Sequence, residues 1–297
     1  MEVGVIGLGS MGMGAALNLV RKGHKVSGCD LRAEAREELA RAGGAASARA
    51  ADLPGRPEAV VVFVVNAAQA EAVLFGPDGV LPRLAPDAVV LCCTTLAPEA
   101  ARTLGARLAE RQVAMLDAPV SGGAIAAREG RMTVMASGPE AAFAKAQPVL
   151  DAIAGKVWRL GEAHGAGSTV KMVNQLLAGV HIAAAAEAMA LGIRAGADPQ
   201  TLFDVITTSA GNSWMFQNRV PHILAGDDTP HSAVNIFVKD LGIVLDQARA
   251  LTFPLPLAAT AHQLFLAASA AGHGGRDDAF VIRVWQMLTG ITLPEGP

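Results

Sequence analysis

Cysteine is scarce in this 297-residue chain. Only Cys29, Cys92 and Cys93 occur, and no pair has the C-x-x-C spacing of a zinc or redox site, so the sequence reads as that of a reduced, cytosolic protein. The vicinal pair Cys92 and Cys93 falls in a strand-like run. Basic residues are not in excess either: 24 Lys and Arg stand against 27 Asp and Glu, a formal net charge of −3. That balance offers nucleic acid no general attraction, and a small anionic ligand would need a local positive site. The seven histidines, at 24, 164, 181, 222, 231, 262 and 273, show no paired ligand spacing, and no metal is expected. No secretory signal is expected, because Glu2 follows Met1 and glycines at 4, 7 and 9 interrupt any apolar core; a cytoplasmic location follows. One run, 176–192, is apolar enough to raise the question of a membrane span. His181 and Glu187 lie inside it and its ends lack basic anchors, so a buried helix is expected and no membrane partner.

Apolar residues make up 52% of the chain, which supplies ample core, and the length suits two domains of roughly 100 to 200 residues. In the first half, nearly continuous apolar runs at 2–6, 25–29, 59–65, 88–93 and 113–116 alternate with Ala-rich helical stretches. That alternation predicts a parallel sheet covered on both faces by crossover helices. Two further short strands are expected at 132–136 and 156–160. Beyond about Gly161, helical stretches take over at 168–195, 199–209, 237–251 and 256–271. The expected fold is therefore α/β, a Rossmann-type doubly wound parallel sheet over residues 1–163 followed by an all-α domain over 164–297. Gly165 and Gly167 are expected to loosen the junction, and the tail from Leu293 to be frayed.

Gly7-Leu8-Gly9-Ser10-Met11-Gly12 follows the first strand directly and opens a helix, which is the context a dinucleotide fingerprint needs. Gly7 permits the tight turn, Gly9 lets the backbone approach a pyrophosphate, and Gly12 lets helix and sheet pack closely. The helix N-terminus then faces the phosphate charge. Asp30 closes the second strand, where a carboxylate accepts hydrogen bonds from the adenosine ribose and repels a 2′-phosphate; NAD is preferred over NADP, with Leu31 and Arg32 beside it. Arg32 could in principle receive that phosphate. Val65 and Asn66, at the carboxyl end of the third run, are expected to flank the cofactor.

Four further segments, together with the fingerprint, resemble the β-hydroxyacid dehydrogenase family, which includes 3-hydroxyisobutyrate dehydrogenase. The first is Asp117-Ala118-Pro119-Val120-Ser121-Gly122-Gly123, leading on to Gly130 and Met132-Thr133. Ser121 offers a hydroxyl, and Gly122 and Gly123 free the backbone so that successive N–H groups can point at an anion. The resemblance implies that this segment binds the carboxylate of a small hydroxy acid substrate. The second runs from Gly165 through Lys171, Asn174 and Gln175, and places Gln175 one turn beyond Lys171 on the same helix face. Lys171 resembles the family's catalytic residue, either as a base whose pKa burial has lowered or as a charged hydrogen-bond donor. The third, Phe237-Val238-Lys239-Asp240-Leu241, resembles a pattern whose lysine reaches the cofactor; without the resemblance Lys239 and Asp240 read as a solvated helix start. The fourth, Thr94-Thr95-Leu96-Ala97-Pro98, resembles a loop that places Thr95 near the nicotinamide.

The family usually has asparagine where this chain has Gln175. That longer amide, with the polar and aromatic stretch that holds Asn212, Trp214, Phe216 and Arg219, resembles the threonate dehydrogenase branch, which implies oxidation of L-threonate to a 2-keto acid with NAD. Asn212 and Trp214 are candidate substrate contacts, Phe216 is expected to pack against the long helix, and Arg219 is left open between a carboxylate ligand and a surface ion pair. The alternatives are a tartronate semialdehyde or glyoxylate reductase, 3-hydroxyisobutyrate dehydrogenase, and a dinucleotide-binding regulator or imine reductase that keeps only the fold. Resemblance and apolar helix surface together imply a homodimer or homotetramer.

Overall fold

A computed structural model describes residues 1–294. The chain divides into two compact units, Met1–Lys171 and Met172 onward. The first unit holds nine strands and six helices in the order β1 Glu2–Ile6, α1 Ser10–Arg21, β2 Lys25–Cys29, α2 Ala33–Arg41, β3 Ala45–Ser47, β4 Ala59–Val62, α3 Ala67–Phe75, β5 Val89–Cys92, α4 Pro98–Ala109, β6 Ala114–Asp117, β7 Val120–Ser121, α5 Gly123–Arg128, β8 Met132–Ala136, α6 Glu140–Ile153 and β9 Ala154–Arg159. Six strands form a wholly parallel sheet in the order β3-β2-β1-β4-β5-β6, and the other three a small mixed sheet in the order β7-β8-β9.

The continuous apolar runs have the cause the sequence suggested. Val3, Val5, Val61, Val89 and Leu91 point into a core shared with α1 and α6, while Ile6, Val60, Val62, Val90 and Cys92 point to the opposite face and pack on Leu74 of α3 and Leu104 and Leu108 of α4. Successive strand residues face opposite ways, so a strand covered on both sides has no room for polar residues. The runs end earlier than expected at β4, which stops at Val62, and two short strands were not foreseen: β3 is an edge of three small residues, and β7 has two residues.

The second unit is helical. A 29-residue helix, α7 Ala166–Arg194, enters it and is followed by α8 Pro199–Thr207, α9 Trp214–Ala225, α10 Val234–Ala250, α11 Pro256–Ala268 and α12 Arg283–Thr289. Within this unit the apolar run of α7 is core: Ile182 and Met189 lie buried with Phe216 and Val220 of α9, Phe237 and Leu241 of α10, and Phe265 of α11. Gly179 admits this packing, since a Cβ there would stand 2.9 Å from Leu241 Cδ1. Phe237 and Phe265 stack with ring centroids 5.2 Å apart. The polar stretch after residue 211 is itself the helix α9, capped by Ser213, whose hydroxyl accepts from the Phe216 N–H at 3.0 Å. Leu293 is buried against the helical core, contrary to the frayed tail expected there, because the apolar side chain has a place to go; positions 295–297 lie outside the described residues.

All three thiols are buried, and burial pushes Cys29 up to about 11 and Cys92 up to about 12, with Cys93 also well above its usual value. A thiolate is the reactive form. Native protein at pH 8 should therefore give no fast reaction with Ellman's reagent, and three thiols should titrate once denaturant unfolds the chain. Rapid native labelling of any of them would contradict this burial.

Candidate active site

The register of the large sheet sets its carboxyl ends in one row. Ile6 pairs with Cys29 on one side and Val62 on the other, Val62 with Cys92, and Cys92 with Asp117. Each residue that follows one of these partners opens onto the same edge, and the strand order reverses between β1 and β4. Such a switch point is where open parallel sheets bind ligands.

At the centre of that edge the fingerprint loop has the geometry its glycines imply. Gly7 has φ +88, and a Cβ there would stand 2.7 Å from the Phe63 carbonyl oxygen; its N–H donates to Cys29 O at 2.8 Å. A Cβ at Gly12 would collide with the Gly7 carbonyl and lie 3.1 Å from Phe63 Cβ, so strand and helix touch at backbone distance. Gly9 differs from both. It caps α1 without a side chain, and a Cβ there would meet nothing within 4 Å, which leaves open space beside the helix N-terminus with its outward N–H groups. Ser10 and Met11 form the first turn of α1 beside this opening. The residues present thus fit a dinucleotide pyrophosphate.

Asp30 ties this loop to the end of β2. Its Oδ2 accepts from the Leu8 N–H at 2.8 Å, and its Oδ1 from the Arg32 N–H at 2.9 Å. The Arg32 guanidinium also spans both carboxylate oxygens at 3.1 Å each and reaches Leu8 O at 2.9 Å. Burial opposes ionisation of Asp30, but the donors from Arg32 and Leu8 outweigh it and hold the carboxyl below its usual value. Arg32 is thus engaged by Asp30, and Leu31 stands 87% exposed next to them. Farther along the edge, Val65 is exposed, and Asn66 caps α3 by accepting from the Gln69 N–H at 2.9 Å while Gln69 Oε1 accepts from the Val65 N–H. Thr95 lies partly buried in the loop after β5.

The last strand of the row carries the feature that sequence reading passed over. Asp117 is fully buried, and its carboxylate caps the start of α7: Oδ2 accepts from the N–H groups of Gly165 and Ser168 at 2.9 Å each, and Oδ1 from the Ser168 hydroxyl at 2.7 Å. Ser137 completes the cap by accepting from the Gly167 N–H at 3.0 Å. Gly165 and Gly167 therefore do not loosen the junction. They let it close, since a Cβ at Gly167 would stand 2.6 Å from Asp117 O and one at Gly165 2.9 Å from Pro98 O. This is why the compact units divide at Lys171, eight residues beyond the boundary expected at 163: the first turn of α7 is hydrogen-bonded into the first unit. Lys171, one turn in, is 7% exposed. Four residues after Asp117, Ser121 ends β7, and Gly122 (φ +125) and Gly123 (φ +71) follow with open space around Gly123.

In the second unit a buried carboxylate gathers three of the expected residues. Asp240, 2% exposed, accepts from Gln175 Nε2 at 2.5 Å through one oxygen and from the Lys239 ammonium through the other. Gln175 Oε1 in turn accepts from Asn174 Nδ2 at 3.0 Å. Lys239 and Asp240 are therefore no solvated helix start. Asn212 lies apart from this group; its Nδ2 donates to Thr207 O at 3.0 Å, and its Oδ1 is buried with no hydrogen-bond partner among the described residues. Trp214 is 60% exposed at the start of α9, and Phe216 packs on Phe203 with centroids 6.1 Å apart. Arg219 is neither a surface ion pair nor open to a substrate: it is buried, with Nε 2.5 Å and Nη2 3.1 Å from the two oxygens of Asp278. Both carboxylates lay inside segments the sequence singled out, Asp240 in the Lys-Asp dipeptide and Asp117 at the head of the Ser121 segment, but nothing local marked Asp117 as a helix cap.

A parallel sheet in the order 3-2-1-4-5-6 with a glycine cradle at its switch point and a strand-end aspartate defines the nucleotide unit of a dinucleotide-dependent dehydrogenase. Comparison with known proteins narrows the class. Residues 2–161 match the family model for the NAD binding domain of 6-phosphogluconate dehydrogenase, and residues 165–285 the one for the NAD-binding region of NADP-dependent 3-hydroxyisobutyrate dehydrogenase. The chain is 61% identical to L-threonate dehydrogenase of Cupriavidus necator, covering 99% of this chain and 98% of that one, and 55% identical to L-threonate dehydrogenase of Escherichia coli, covering 99% and 96%. A solved 3-hydroxyisobutyrate dehydrogenase of Salmonella typhimurium matches with a TM-score of 0.92 and 53% identity, covering 96% and 99%. The chain belongs to the 3-hydroxyisobutyrate dehydrogenase family of β-hydroxyacid dehydrogenases. It is an oxidoreductase that acts on CH–OH groups, and its cofactor is NAD.

The cap on α7 can be tested directly. Asp117→Ala strands four buried donors, the N–H groups of Gly165 and Ser168 and the hydroxyls of Ser168 and Ser137, and should lower unfolding stability by on the order of 3 kcal/mol or more. Asp117→Asn should cost about half of that, because its carbonyl can face the two N–H groups and its amide the Ser168 hydroxyl. Urea unfolding measures both, and an Asp117→Ala midpoint equal to that of the parent would refute the cap.

Proposed function

We propose that the enzyme oxidises L-threonate to its 2-keto acid in the cytoplasm. The N–H groups at Gly122 and Gly123, with the Ser121 hydroxyl, hold the substrate carboxylate. Lys171 takes the proton of the reacting hydroxyl, and Gln175 with Asn174 orients that hydroxyl. NAD, when bound, accepts the hydride released from the same carbon. Thr95, Val65 and Asn66 flank the cofactor at the strand ends, and Lys239 adds positive charge beside it. Asn212 and Trp214 contact the substrate's further hydroxyls, and the unpartnered Asn212 Oδ1 supports this, since a buried acceptor without a donor is costly.

Relatives of similar identity carry different substrate names, so identity alone does not choose among hydroxy acids. What carries the choice is Gln175. Its amide is fixed from behind by a buried carboxylate, and a fixed polar group rejects a substrate that lacks the matching hydroxyl because the amide would then be left unpaired. A four-carbon polyhydroxy acid supplies such hydroxyls, and 3-hydroxyisobutyrate has a methyl group instead. Against a reading as a regulator that only binds the dinucleotide stands the likeness over nearly the whole chain to named dehydrogenases.

An assembly of two or four copies completes the proposal. Within the second unit Val173, Leu177 and Leu191 lie along one helix at 51%, 49% and 70% exposure, an apolar stripe that a second copy would cover.

Steady-state rates read at the NADH absorbance, with L-threonate, glycerate and 3-hydroxyisobutyrate in parallel, should rank L-threonate first by at least about tenfold in kcat/KM. Lys171→Ala should abolish turnover while NAD affinity stays within about twofold. A higher kcat/KM for 3-hydroxyisobutyrate would reassign the substrate, and normal turnover by the lysine variant would end the mechanism. Light scattering should give the mass of a dimer or tetramer; a 30.4 kDa particle would remove the assembly.

A further inference from the structure

Helix α1 makes a second contact besides the glycine cradle, with the short helix α5. Gly14, outside the fingerprint, lies against the last turn of α5: a Cβ there would stand 2.6 Å from Ala127 C and 2.7 Å from Arg128 N, both backbone atoms. One turn farther, Asn18 is 6% exposed and fully engaged. Its Nδ2 donates to Ala127 O at 2.6 Å and to Gly14 O at 3.0 Å, and its Oδ1 accepts from Arg21, which also donates to Arg128 O. The end of α5 is thus clamped to α1 by close approach and by a buried amide.

The other end of α5 is the loop of Gly122 and Gly123. Upstream of it, Val120 and Ser121 are fixed by pairing with Val134 and Thr133 of β8. Where that fixed strand passes into the clamped helix stand two glycines with positive φ, the cap Gly122 and the first helical residue Gly123, about which the chain can swing. α5 has six residues, a rigid lever about 9 Å long. Any displacement of its last turn is therefore passed to the loop.

We propose that Gly14 and Asn18 are positioning residues for the anion-binding loop: through α5, the helix that receives the cofactor phosphates also places the backbone that receives the substrate carboxylate. This rests on the reading of Ser121, Gly122 and Gly123 as the carboxylate site. α1 is buried against the large sheet along Ala15, Ala16 and Leu19, so a methyl added at residue 14 moves α5 rather than α1.

The test uses the full-length protein. Gly14→Ala should raise the KM for L-threonate about tenfold, leave kcat within about threefold and NAD affinity within about twofold, and speed hydrogen exchange at amides 122–128. Asn18→Ala removes the clamp without added bulk, should show the same split more weakly, and serves if Gly14→Ala does not fold. A purely structural lesion would lower kcat and NAD affinity along with raising KM, without this selectivity. Unchanged KM and unchanged exchange overturn the proposal, as does a loss of NAD affinity as large as the rise in KM. If the parent enzyme does not turn over L-threonate, the substrate reading has failed and exchange alone decides: faster exchange at 122–128 with NAD affinity retained supports the coupling, and unchanged exchange refutes it.

Discussion

The capped start of α7 is the constraint on which the placement of Lys171 in the first unit depends. One carboxylate, Asp117, accepts two backbone N–H groups and a hydroxyl from that turn, and all of these groups are buried. A buried anion is tolerable only where donors surround it, and a helix N-terminus supplies them together with the positive end of the helix dipole. The consequence is positional. Lys171 follows Ser168 by three residues on the same helix, so the seat of its backbone is fixed by the end of β6. The same chain segment continues into Ser121 and the two glycines. Lys171 and the Ser121–Gly123 loop, which the proposed function gives the proton and the carboxylate, are therefore both referred to one strand end.

That strand end is itself the last member of a row. Parallel pairing without a register break from Cys29 through Ile6, Val62 and Cys92 to Asp117 brings five chain segments, drawn from positions 7 to 118, to one edge. Hydride transfer needs the nicotinamide, the carbon that gives up hydride and the proton acceptor held in near-attack geometry, and orientation of this kind is worth several kcal/mol of barrier. A sheet covered on both faces is a stiff support for it, because its central strands β1, β4 and β5 are packed from two sides.

Much of this was legible in the sequence. The strands of the large sheet were visible because two-sided burial writes unbroken apolar runs, and the fingerprint because its glycines answer backbone requirements that no other residue meets. β3 and β7 were not visible: three small residues, or two, have no period to detect. α9 was read only as a polar, aromatic stretch because its surface side chains, Gln217 and Asn218, hide the buried positions Phe216, Val220 and Ile223. The site residues missed share one cause. Asp117 acts on a turn about fifty residues away, Asp240 on an amide 65 residues away, and Asn18 on a carbonyl 109 residues away. Contacts of that range leave no spacing in the sequence. Arg219 shows the reverse case, since its partner Asp278 is just as remote and a plain reading could place it only on the surface or on a ligand.

The two buried carboxylates that sequence reading left without a role differ in what satisfies them. Asp117 accepts from two backbone N–H groups and from the hydroxyls of Ser168 and Ser137, all in the first unit, so it fixes the start of α7. Asp240 is satisfied by side chains alone, Lys239 and Gln175. A glutamine reaches one methylene farther than the usual asparagine. Holding its Nε2 against Asp240 keeps that longer arm from folding back and determines which end of the amide is nitrogen. Without such an anchor the extra rotatable bond would cost entropy each time substrate bound. On the proposed reading of Gln175 as the group that orients substrate, the longer amide and its anchor belong together, since the carboxylate that holds Nε2 lets the longer side chain confer selectivity rather than looseness.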